Sequence, residues 1–254
     1  MSSSRRLPNT TPAVLRTLAT ARDTFKNTPA PADQLITAAQ FAQLDDADPN
    51  SLLSRFAREV NEVDLAFAAQ APLTSALSQA GAKLTMFISH FHQVLDLGIT
   101  RGTFATGARR YYNRDIAATT IPPLTNYDEV QTAADAIVEG ELARKNAEPA
   151  YVEMMLPRAT EIDALRGPFK TLRAQSQSAL ANTNKQQEDV TALYPEAQAL
   201  AVDLCDTIEF NLRFDKSDSS RRAKAEQWGV VYIYGDGTAT APAVTPPATP
   251  PPSP

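Results

Sequence analysis

The sequence predicts an all-α protein, an antiparallel bundle of long helices with one short C-terminal β-strand, and three observations carry that reading. Apolar residues recur at spacings of three and four along most of the chain, the period of one buried helix face. Glycine is scarce, with 9 residues in 254, and alanine dominates the apolar fraction, which suits helices that pack closely through small side chains. Only the segment 228–234 concentrates aromatic and β-branched residues as a strand does.

Thr11-Pro12 reads as an N-cap followed by proline at the first helical position. It opens a helix to about Asn27 through Val14, Leu15, Leu18, Ala21 and Phe25. Pro29 and Pro31 then break the chain, Leu35 to Leu44 forms a shorter helical piece, and Asp45 to Asn50 an acidic connection. Leu52, Leu53, Phe56, Val60, Val63 and Phe67 line one face of a helix expected to end near Pro72. A separate helix should follow, with a stripe of Leu73, Leu77, Ala80, Leu84, Phe87, Phe91, Val94, Leu95 and Gly98. Residues 99–126, with Gly102, Gly107, Pro122 and Pro123, read as an arm plus linker.

Helical pattern returns from Tyr127 to Asn146 on Val130, Ala134, Ile137, Val138 and Leu142. A further helix is expected after Pro149, bent at Pro157 and Gly167-Pro168, with Ile162, Leu165, Phe169, Leu172, Ala179 and Leu180 on its apolar face. Another carries Val190, Leu193, Ala197, Leu200, Leu204, Ile208 and Leu212, and Asp218 to Gln227 forms a short capped helix before the strand. The resulting organisation is an N-terminal extension 1–10, a bundle 11–234 and a tail 235–254. The tail is rich in Ala, Thr and Pro, cannot bury a core, and is expected to be disordered or extended. Residues 11–113 and 126–234 line up as related three-helix halves, against the competing account of chance likeness between amphipathic helices.

A net charge of −5 disfavours a general nucleic-acid binder, whose affinity comes mostly from phosphate neutralisation by Lys and Arg. Cys205, the single cysteine, permits no internal disulfide and stands among Leu204 and Ile208 as a buried structural thiol. With no leader-like start and no apolar run of membrane length, a cytoplasmic setting is expected. His90 and His92, two apart on a helix, point in different directions, cannot chelate one metal together, and are read as polar residues at the bundle's edge. Asp45, Asp46 and Asp48 lack the glycine and distal glutamate of a calcium loop. No phosphate loop, nucleophile elbow or paired-cysteine motif occurs, so neither cofactor nor metal is expected. Glu139-Gly140-Glu141 with Arg144 could supply acid–base groups, but Glu141 with Lys145 at i+4 reads better as an ordinary solvated pair.

Two features look like handles. Arg101, Arg109, Arg110 and Arg114, interleaved with Tyr111 and Tyr112, resemble a local anion or single-strand site, with pairing to surface carboxylates as the preferred account. The strand, with Trp228, Val230, Tyr232 and Tyr234 on one face and Val231 and Ile233 on the other, needs a partner. The preferred one is the arm near Phe104; a second copy or another protein is the alternative.

Arg5-Arg6-Leu7-Pro8, Leu97-Gly98-Ile99-Thr100-Arg101-Gly102, Arg109 to Tyr112, and Arg222 followed by Trp228-Gly229-Val230-Val231-Tyr232 make the chain resemble a group of uncharacterised bacterial helical proteins. That resemblance implies a bacterial origin and no known activity. The function expected is therefore a non-enzymatic interaction or scaffold role, with an anion- or nucleic-acid-binding module on the 101–114 arm as the alternative.

Overall fold

The N-cap of helix α1, Thr11–Lys26, is Thr10 and not the expected Thr11, and it makes no side-chain cap bond; Pro12 lies in the first turn, and the helix buries Val14, Thr17, Leu18 and Ala21. This computed structural model describes residues 3–118, 120–215 and 217–234. Thr37 and Gln40 form a reciprocal capping box at α2, Ala38–Ala42. The remaining helices are α3, Leu52–Thr100; α4, Tyr127–Ala147; α5, Ala159–Asn211; and α6, Asp218–Gln227. Side-chain caps start α4, where Asn126 accepts from the Glu129 amide, and α6, where Ser217 accepts from the Ser220 amide. A 3-10 segment, Thr106–Tyr112, follows α3. The all-α expectation holds, and the tail from Gly235 lies outside the described residues.

The helices expected to end at Pro72 and near residue 188 do not end there. α3 contains Pro72, and α5 contains Pro168 and Pro195, so each expected pair is one continuous helix. All three prolines are exposed, as are Ala68, Ala164 and Thr191, four residues before each. Each proline therefore removes one hydrogen bond at a carbonyl that water can reach, and dozens of neighbouring bonds persist. α5 begins ten residues later than Pro149, because Met154 is buried in irregular chain ahead of it.

The described residues pack as two compact units, one within 3–62 and 187–234 and the other within 63–186. These cut across the expected halves 11–113 and 126–234. The first unit's core gathers Val14 and Leu18 of α1, Leu52, Leu53 and Phe56 of α3, Leu204 and Ile208 of α5, Leu212 just past its end, and Trp228 and Val230. The second gathers Leu84, Ile88, Phe91 and Leu95 of α3, Val130, Ala134 and Ile137 of α4, and Ile162 and Phe169 of α5. Phe67, Leu142 and Leu180, placed on apolar faces by their spacing, are exposed.

The strand partner differs from expectation. β1, Ser3–Arg6, pairs antiparallel with β2, Val231–Tyr234, in the register Arg5 to Tyr232 and Arg6 to Val231. The supposed N-terminal extension is thus part of the fold. Phe104 instead lies against Gly98, where an added Cβ would overlap its ring. Trp228 belongs to the end of α6, and Gly229, at φ +94°, turns the chain from helix into strand. One expectation about β2 fails: Val231 and Ile233 are 36% and 41% exposed, so one face of the ribbon stands in water.

Candidate functional site

The 3-10 segment Thr106–Tyr112 reaches α4 because Gly140 leaves room for it. A Cβ at Gly140 would overlap the Tyr111 carbonyl group and stand 2.8 Å from Tyr112 Cδ1. That approach carries the Tyr112 hydroxyl to Glu141, to which it donates. Arg144, one turn on, donates from Nη2 to Glu141 Oε1 at 2.9 Å and from Nε to the Tyr112 oxygen at 2.9 Å. The Tyr151 hydroxyl at 2.7 Å and the Met154 amide at 3.1 Å also donate to Glu141 Oε1. Arg144 is completed by Glu148 at 3.2 Å and the Val152 carbonyl at 2.7 Å, with the Phe104 and Tyr151 rings against its guanidinium.

Glu141 and Arg144 are both buried, which corrects the reading of Glu141 with Lys145 as a solvated pair. Burial pushes the Glu141 carboxyl upward, but donors from Arg144, Tyr112 and Tyr151 outweigh it and hold the acid below its ordinary range. Burial, then the adjacent Glu141, pushes the Tyr112 phenol well above its usual value. Both Glu141 oxygens are therefore occupied by donors, and the network ties the 3-10 segment and residues 151–154 to α4. The signal for it in the sequence is Gly140 itself, since glycine inside a helix costs about 1 kcal/mol relative to alanine and marks a close approach.

Gly140→Ala should therefore destabilise the protein by about 1–3 kcal/mol in urea unfolding, despite alanine's better helix propensity. A more stable variant would show that the 3-10 segment does not seat there.

The expected anion-binding arginines separate into two kinds. Arg109 Nε donates to Asp96 at 2.9 Å, and Arg114 donates to both Asp96 oxygens at 3.1 and 3.0 Å. Arg101 and Arg110 are exposed. His92 is also corrected: it is buried beside this cluster rather than at an edge, while His90 is exposed. Among the possible partner-strand residues, Trp228 and Val230 are buried in the first unit's core, the Tyr232 hydroxyl donates to Glu209 at 2.6 Å, and Tyr234 pairs through its backbone with Ser3. Cys205 is buried, and burial pushes its thiol up to about 11, so it is not poised as a nucleophile.

Among the described residues, no group of three or more His, Cys, Asp or Glu is arranged to hold a metal, and no helix is long and apolar enough to cross a membrane. A cavity of about 170 Å³ lies beside β1, β2 and the start of α1, lined by Arg6, Thr10, Arg16, Thr17, Cys205 and Val231 among others. Comparison with protein-family models, curated proteins and solved structures gives no match to the chain.

Proposed function

We propose that the protein is a non-enzymatic interaction protein that captures an extended segment of another protein along the free edge of β2. The observation that carries this reading is the two-stranded ribbon itself. Among the described residues β2 pairs on one side with β1 and with nothing on the other. Its Val231 and Ile233 side chains stand exposed on one face of the ribbon. An added strand gains backbone hydrogen bonds from such an edge and specificity from side-chain pockets beside it. A 170 Å³ cavity lies by the ribbon between Arg6, the start of α1 and Val231, and Arg6 and Arg16 on its wall suit an acidic side chain in the partner. The buried Glu141–Arg144 network supports a structural rather than a catalytic account, since its carboxylate is already saturated by donors within the fold.

The anion-binding alternative weakens, because two of its four arginines, Arg109 and Arg114, are engaged with Asp96. A cytoplasmic setting, a bacterial origin and a duplication of the segments 11–113 and 126–234 belong to the same proposal.

Ile233→Lys tests the reading, because the side chain is exposed and the change should leave thermal stability within roughly 0.5 kcal/mol. Crosslinking of the full chain in its source cells should yield a partner peptide attached near β2, lost in the variant. An unchanged crosslink pattern would sink the proposal, and crosslinks only between copies of this chain would replace it with self-association.

A further inference from the structure

His92 is 1% exposed on α3, and its Nδ1 has no hydrogen-bond partner among the described residues. Arg114, 5% exposed, likewise leaves its Nε without a partner. Arg114 belongs to the segment that follows the 3-10 helix, and Asp96, one turn beyond His92, holds that segment to α3. Asp96 Oδ1 accepts from Arg109 and Arg114, and Oδ2 accepts from Arg114. The two arginines also close the segment on itself, Arg109 through the Ile116 carbonyl at 2.7 Å and Arg114 through the Thr120 carbonyl at 3.0 Å.

We propose that His92 is an acid-sensitive latch: neutral, it lets residues 106–118 lie closed, tied to α3 through Asp96 and to α4 through Tyr112, and protonated, it releases them. The charged and titratable groups around it decide the direction. Asp96 comes from α3 itself and Arg109 and Arg114 from the segment. Across Phe91, whose ring meets both His92 and Tyr112, lie Tyr112 and its α4 partners Glu141 and Arg144. One carboxylate thus already faces two guanidinium groups. A proton on His92 adds a third cation in a buried setting, and its Nδ1 has no acceptor among the described residues. Its relief is hydration, which requires the segment to lift.

Burial first, then Arg114, lowers the His92 pKa to about 4 against 6.5 in the open chain. A depressed pKa means that the closed state binds fewer protons than the open one. The latch is therefore whole above pH 6.5 and weakens as pH falls from 6.5 toward 4. Asp96, pushed upward by burial but held below its usual range by Arg114 and Arg109, stays ionised through that window.

Hydrogen exchange of the full chain at pH 7 and pH 5, corrected for intrinsic chemical rates, tests the latch. Between those values the opening constant of residues 106–118 should rise roughly 20-fold, from the two His92 pKa values. α1, in the other unit, should not change. In His92→Phe the rise should vanish. Equal corrected exchange at both pH values in the native chain, or the same rise in His92→Phe, overturns the proposal. Should the variant not fold, imidazole NMR of the native protein decides: a titration of His92 that coincides with exposure of 106–118 supports the latch, and a titration with that segment unmoved overturns it.

Discussion

Replacing Arg144 by methionine is expected to lower the unfolding free energy by about 3–5 kcal/mol, among the largest single effects in the chain. Methionine fills much of the same volume, so lost packing contributes little. The cost comes from charge. Glu141 would stay buried and ionised without its guanidinium partner, and the Val152 carbonyl and Tyr112 oxygen would each lose a donor. A cycle with Glu141→Leu separates the terms: the double variant should be more stable than the sum of the singles predicts, since removing both charges removes the orphan. It should not recover the native value, because Tyr112, Tyr151 and the Met154 amide would then lack their acceptor. The pH dependence has a definite sign. Glu141 is depressed in the folded chain, so its contribution is present above its ordinary pKa and lost as pH falls through the folded one. In Arg144→Met the burial that raises the Glu141 pKa loses its chief opponent, so that acid loss should shrink or reverse. Urea unfolding by far-ultraviolet circular dichroism at several pH values reads both effects, and a neutral Arg144→Met would mean that water reaches the network.

The second large effect is expected at Phe91. Its side chain is fully buried, sits in the second unit's core and meets Tyr112 edge-on at 5.1 Å between ring centroids. Phe91→Ala should cost about 3–5 kcal/mol, through lost transfer free energy, a cavity, and the ring pair that seats the 3-10 segment. Phe67→Ala on the same helix should stay within roughly 0.5 kcal/mol, because that ring is 48% exposed. Both residues obey the helical apolar period equally well in the sequence. Similar losses at the two positions would show that Phe67 is covered by something outside the described residues.

That contrast marks how far the sequence reaches. Helix class, the starts of α1 and α6, the stripe through Leu84 and Phe91, and the burial of Cys205 were legible, because helix period, capping and propensity act within about four residues. Three things were not. Exposed prolines leave a long helix intact, and whether a proline is exposed depends on what packs across from it. The partner of β2 is more than two hundred residues away, and a strand's edge chooses among all segments the fold brings near it. Glu141, Arg144 and His92 carry polar side chains that a sequence reading places in water by default. Only the seating of Tyr111 on Gly140, and of Arg114 on Asp96, closes the space around them. The sequence by itself determined which stretches are helical, though not where the two long helices end. The tertiary structure decided which of their polar residues lost contact with water, because desolvation is set by neighbours distant along the chain and not by local period.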